Sequence, residues 1–104
     1  MTMHVIAKTK FTEAAKLYPI CKLAIMSTYK TLFKIKPRDL HALQQVFPSA
    51  ERFKYLDDAY TINIGGNKIR LIAVIFFRGQ KLYVKHVVSH SEYDELTDKY
   101  RRGK

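Results

Sequence analysis

Apolar residues in the first half of the chain recur every three to four positions, and in the second half every two. MHVIAK (Met3 to Lys8) places β-branched Val5 and Ile6 side by side and predicts a short first strand. Thr9 is then expected to cap a helix carrying Phe11, Ala14, Ala15 and Leu17 at helical spacing. Pro19 ends that helix, because proline disfavours the helical region for the residue before it. It can also open a second helix at its first position. The second helix is expected to run to about Lys34, with Leu23, Ile25, Met26, Tyr29, Leu32 and Phe33 as a broad apolar face. Two helices separated by one proline predict an antiparallel hairpin. Pro37 stops the second helix, and PRDLHALQQVFP reads as a short helix or turn with Leu40, Leu43 and Phe47 inward.

From Phe53 the period changes to two. FKYL, YTINI, KIRLIAVIFF and KLYVKHVV are strand-like, and NIGGNK and RGQ are turn signals. LIAVIFF is apolar on both faces and predicts a central strand. HSEYDELTDKY reads as a helix, with Ser91 or His90 at its cap and Glu92, Asp94 and Glu95 near the positive end of its dipole. The basic tail Lys99 to Lys104 is expected to fray.

The order defines an α+β fold. It predicts a small antiparallel sheet with an N-terminal helical hairpin on one face and a short C-terminal helix, all in one domain over residues 1–104. The other sheet face is expected to be partly open. A two-residue loop, Arg78-Gly79, suits a primed turn and would pair Phe77 with Gln80 and Arg70 with Val87. His86 would then face away from Arg70. A three-residue loop would bring Arg70, His86 and Val88 to one face, because a one-residue slip reverses every side chain of a strand.

Charge narrows the function. Nineteen Lys and Arg against nine Asp and Glu leave a net charge of +10 in 104 residues. A field of that sign concentrates polyanions. The cations are spread along the chain, unlike a disordered basic arm. No apolar run reaches the roughly 18–20 residues that span a bilayer, and MTMHVIAKTK has no signal-peptide core. The expectation is a soluble, cytoplasmic protein that binds neither membrane nor DNA. One cysteine, Cys21, excludes an internal disulfide and a cysteine-based zinc cage.

Four residues around the last hairpin are not needed for packing a sheet: Arg70, His86, His90 and Tyr93. Arg70 enters an otherwise apolar strand, and burying a guanidinium without a partner is costly. It either snorkels at the sheet end, pairs with Asp57 or Asp58, or awaits an anion, for which its planar fork suits phosphate. His90 and Tyr93 share one side of a helix that starts near His90. Histidine can move a proton near neutrality, and tyrosine can stack on a base; alternatively, His90 caps the helix and Tyr93 only packs. His86 reads as a core or rim histidine. Lys54, Lys68, Lys81 and Lys85, with Tyr55, Tyr60 and Tyr83, either solvate a sheet face or form a surface for single-stranded nucleic acid. His41, His86 and His90 lack metal-ligand spacing, the GGN at 65–67 is a turn, and no cofactor is expected.

The segment INIGGNKIRLIAVIFF…KLYVKHVVSHSEYDEL resembles the HigB toxins of bacterial type II toxin–antitoxin systems, a branch of the RelE superfamily. Asn63, Gly66, Asn67, Arg70, Ser89, His90, Tyr93 and Asp94 match the pattern, and the likeness runs from Leu43 to Leu96. The resemblance implies a RelE-like fold, cleavage of mRNA on the translating ribosome without a metal, and inhibition by an antitoxin of the HigA helix-turn-helix type. It casts Arg70 as the phosphate stabiliser, Lys54 or Lys68 as its assistant, His90 in proton transfer and Tyr93 as the nucleotide's platform. Asn63, Asn67, Lys68 and Lys85 would hold RNA, and Asp94 either orients His90 or favours the helix N-terminus. A non-catalytic RNA- or ribosome-binding module shares the same charge and aromatics.

Overall fold

A computed structural model of the chain describes residues 3–66 and 68–103. In chain order the elements are β1 (His4–Ile6), α1 (Lys8–Leu17), a 3-10 turn (Pro19–Cys21), α2 (Lys22–Lys34), α3 (Leu40–Val46), β2 (Glu51–Arg52), β3 (Ala59–Ile64), β4 (Ile69–Phe76), β5 (Lys81–Ser89) and α4 (His90–Arg102). The strands form one sheet in the order β1-β5-β4-β3-β2. The α+β class and the helical hairpin are as the hydrophobic pattern predicts. The sheet is mixed rather than wholly antiparallel, because β1 lies parallel to β5, with Val5 opposite Leu82. The long run of helices and strands between them supplies the crossover that a parallel pair needs.

Alternation along β4 divides the molecule into two cores. Ile69, Leu71, Ala73 and Ile75 face the helical hairpin and pack with Phe11, Ala14, Ile25 and Leu32, joined by Leu82, Val84 and Val87 of β5. Ile72 faces the other way and is fully buried with Phe53 and Ala59 beneath Tyr93, Leu96 and Tyr100 of α4. The apolar run of β4 is therefore covered on both sides. The second face is roofed by α4 over much of its length and is less open than expected. The tail also departs from expectation: α4 continues through Arg102. Tyr100 sets its ring edge-on to Phe53 at 5.4 Å, and Asp98 pairs with Arg101 and with Arg102 at 2.6 Å.

Helix starts differ in detail. The residue preceding α1 is Ala7, in the left-handed conformation with φ 75, so Thr9 lies inside the helix rather than at its cap. Pro19 opens the 3-10 turn, as its fixed φ allows. The cap of α4 is Ser89, one residue before the two candidates; its Oγ accepts from the Glu92 amide at 3.3 Å.

The β4–β5 hairpin keeps the expected register near its turn and departs from it further along. Four residues, Phe77 to Gln80, connect Phe76 to its partner Lys81. Gln80, not Gly79, takes the left-handed conformation, with φ 54. Its side chain is held by the carbonyls of Pro37 and Phe77, to which Nε2 donates at 2.7 and 2.8 Å. Pairing runs Ile75 with Leu82 and Ala73 with Val84, then shifts, so that Ile72 meets His86 and Arg70 meets Val88. Lys85 is the extra residue of this bulge. A bulge of this kind reverses side-chain alternation in the strand that carries it. The bulge therefore brings Arg70 and His86 to one face, where the expected register, continued without a bulge, pairs Arg70 with Val87 and turns His86 away.

Ala7 holds a backbone shape that costs an L-residue about 1–2 kcal/mol. Ala7→Gly is expected to raise the denaturation midpoint, with a net gain of about 0.5–1 kcal/mol after the extra chain entropy of glycine is subtracted. Urea unfolding followed by circular dichroism measures it.

Candidate functional site

At the end of the sheet nearest the β3–β4 turn, Asn63, Arg70 and Val88 lie side by side on three adjacent strands. The guanidinium carbon of Arg70 sits 4.7 Å from the ring centre of Tyr93. Tyr93 is steadied from behind by Phe53, with ring centres 6.2 Å apart. Stacking favours the cation but leaves its in-plane donors unused. Arg70 Nε is buried without a hydrogen-bond partner, and among the described residues no carboxylate forms an ion pair with this guanidinium. The pairing with Asp57 or Asp58 is not made. A half-buried arginine held flat by an aromatic ring, with a donor unsatisfied, has the planar fork free to donate two parallel hydrogen bonds to an anion such as phosphate.

His90 begins α4, and its amide donates to the carbonyl of Lys68 at 3.2 Å. It follows Ser89, which pairs with Ile69 next to Arg70. His90 and Tyr93 are one helical turn apart, on the same side. The imidazole is half exposed, and its Nε2 lies 3.7 Å from the Asp94 carboxylate. Arg70, Tyr93 and His90 thus gather at one rim, where the sheet ends and α4 begins.

The remaining candidates spread around that rim or away from it. Lys68 lies in the turn leading into β4, and Lys54 follows Phe53; both are exposed, and the Lys54 ammonium rests 5.2 Å from the Tyr55 ring. Asn63 is directly opposite Arg70, and its backbone amide donates to Ser49 Oγ at 3.0 Å. Lys85 stands apart: at the bulge it shares a shallow hollow with Lys10 and Glu13 of α1. Asn67 lies outside the described residues. Tyr60 is buried in the hairpin core against Phe77, so it cannot serve as a stacking platform.

Two features go beyond the predicted site. Tyr18, between α1 and α2, donates its hydroxyl to the Glu92 carboxylate and accepts from the Ser89 amide at 3.3 Å. Burial, then the bond to Glu92, raises the Tyr18 pKa; the same bond from Tyr18 chiefly lowers that of Glu92. This latch joins the helical hairpin to the first turn of α4, one residue from His90. Nothing local in the sequence announces it, since its partners are 71 and 74 residues distant. The second feature is a groove of about 450 Å³ lined by Tyr55, Leu56, His86, Leu96, Lys99 and Tyr100. His86 Nε2 is 2.9 Å from the Tyr100 hydroxyl. Burial, aided by Lys10 and Lys85, lowers the His86 pKa. The sequence hides its orientation, because Val87 and Val88 are both apolar; only the burial of Val87 with Leu82 and Val84 reveals the change of parity in β5.

A sheet with a helical hairpin on one face, and on the other an arginine stacked on Tyr93 at the foot of a helix that opens with an exposed histidine, defines a small, strongly cationic α+β protein. Comparison with known proteins makes this specific. Residues 21–96 match the family described as HigB toxin, RelE-like toxic component of a toxin–antitoxin system. The chain is 40% identical over 103 residues to the "mRNA interferase toxin HigB" of Escherichia coli K12, covering 98% of this chain and 99% of that protein. It is 38% identical over 102 residues, with the same coverage, to the "mRNA interferase HigB" of Escherichia coli O6:H1. The chain belongs to the HigB toxin family.

Tyr18→Phe removes the latch without creating a void. Its bonds are solvent-facing, so global stability is expected to fall by about 1 kcal/mol or less. Amide exchange at Ser89 and the first turn of α4 is expected to quicken while β4 stays protected, as hydrogen-exchange mass spectrometry would read.

Because His86 is held toward its neutral form, the folded chain binds fewer protons than the unfolded one near the ordinary histidine value of 6.5. Its contribution to stability is complete above that value and is lost as pH falls through the lower, folded value. Melting temperature is expected to decline between about pH 7.5 and about pH 5, and less steeply in His86→Gln.

Proposed function

We propose that the chain is a ribosome-dependent mRNA endonuclease that halts translation in the cytoplasm and is silenced by a HigA-type helix-turn-helix antitoxin. The observation that carries the reading is the unpaired Arg70 guanidinium, stacked on Tyr93 one helical turn from His90. The relatives' names as mRNA interferases support the same substrate.

Metal-free cleavage requires three things of the protein. The ribose 2′-oxygen attacks the adjacent phosphorus and gives up its proton to a base. The bond from phosphorus to the 5′-oxygen breaks, and an acid supplies that oxygen with a proton. The products are a 2′,3′-cyclic phosphate and a free 5′-hydroxyl. Between these events the phosphoryl oxygens gain charge that a fixed cation must meet. In this reading Arg70 meets that charge with the donors that the fold leaves unused, and Lys54 or Lys68 assists. His90 transfers protons, its half-exposed ring standing 3.7 Å from the Asp94 carboxylate and open to the RNA. Tyr93 positions the nucleotide beside the guanidinium that it carries, and Asn63, Asn67 and Lys68 hold the strand; Lys85, beside α1, would meet RNA only away from this rim. The ribosome supplies the extended message that a shallow rim cannot immobilise by itself.

Arg70→Ala and His90→Ala, purified and verified as folded, are each expected to cleave ribosome-bound message at least about 100-fold more slowly than wild type. Primer extension across the cut sites measures it. If both variants cut at the wild-type rate, the assignment is wrong. If the wild-type chain binds ribosomes without cutting, the chain is a binding module.

A further inference from the structure

The tip of the helical hairpin exposes aliphatic side chains that the fold leaves uncovered. Leu17, Ile20 and Leu23 are 72%, 90% and 85% accessible, although each has the size to fill a core. Leu23 is nearly one helical turn from Met26, which with Thr12, Ala15 and Pro19 lines a mostly apolar groove of about 370 Å³ between the two helices. Lys16 and Lys22 flank this groove. Residues 8–34 carry six lysines and one acidic residue. We propose that this ridge and groove form the docking surface for an acidic, amphipathic segment of the antitoxin, laid along the α1–α2 tip. The inference rests on the toxin reading and adds the place and chemistry of its inhibition.

Chemistry selects the occupant. RNA would use the lysines but gains nothing from three bare aliphatic side chains. A segment with apolar residues on one side and carboxylates on the other satisfies both, the apolar side seating in the groove and the carboxylates meeting Lys16 and Lys22. The location also gives it a purpose. Tyr18 stands between Leu17 and Pro19 and is bonded to Glu92 and Ser89 at the start of α4. A side chain added at Gly65, in the turn before β4, would meet Cys21 and Ala24 of the same tip. A partner seated there lies beside the rim that carries Arg70 and His90 without having to fill it.

The test uses the full chain and its purified cognate antitoxin. Ile20→Asp combined with Leu23→Asp is expected to weaken binding by at least 100-fold in titration calorimetry, while growth arrest on expression persists and the melting temperature stays within a few degrees. Lys16→Glu with Lys22→Glu is expected to weaken binding at least tenfold and to flatten its dependence on salt. Wild-type affinity in the Asp variant overturns the proposal. So does loss of growth arrest with antitoxin binding intact, which would assign the ridge to the ribosome or a membrane. A wild-type dimer that the Asp variant converts to monomer, with antitoxin binding unchanged, would assign it to a second copy of the chain. Binding is read without cleavage, so a wild-type chain that docks the antitoxin but cuts nothing defeats the nuclease reading alone.

Discussion

One extra residue in β5 governs where the functional side chains lie. Near its turn, the β4–β5 ladder pairs Ala73 with Val84; past Lys85 it pairs Ile72 with His86 and Arg70 with Val88. Without that shift, β5 would continue in the opposite phase. Val87 would leave the hairpin core for the α4 side, and His86 would replace it among aliphatic side chains. The bulge keeps Val87 inside and delivers His86 and Val88 to the face that α4 covers. It also fixes the residue on which β5 ends, and so the direction in which Ser89 launches α4.

From that launch point the candidate site is assembled by few contacts. The ring of Tyr93 lies between Phe53 on one side and the Arg70 guanidinium on another. Phe53 also carries Tyr100 at the far end of the helix. A single buried ring thus supports both ends of the sheet-facing side of α4. Tyr18 ties down the first turn from the opposite layer. The helix has no fully buried residue, so its position depends on these specific contacts more than on bulk burial. In a chain with net charge +10, the half-buried Arg70 guanidinium thereby finds no carboxylate partner among the described residues, against the tendency of buried charges to be paired.

The distribution of charge and apolar surface separates two kinds of recognition. The rim presents cations and aromatic rings, which suit a ribose–phosphate chain. The hairpin tip presents cations and bare aliphatics, which suit a folded or folding peptide. Both lie at the same end of the molecule, where α1, the β3–β4 turn and the N-terminus of α4 converge.

Much of the fold was legible in the chain itself. The change of period at Phe53 separates helices from strands, Pro19 marks the hairpin corner, and the unbroken apolar run of β4 marks a strand covered on both faces. Arg70, His90 and Tyr93 stood out as side chains that packing does not require. Those features depend on local sequence and its periodicity. Tertiary structure alone decided which face His86 occupies, because a bulge shifts phase by one residue for the sake of Val87 packing many residues away in the chain. It alone decided that β1 runs parallel to β5, that α4 roofs the second face through Tyr100, and that Tyr18 reaches Glu92. Each is a contact between segments far apart in sequence, set by how two layers fit together rather than by what either segment prefers alone.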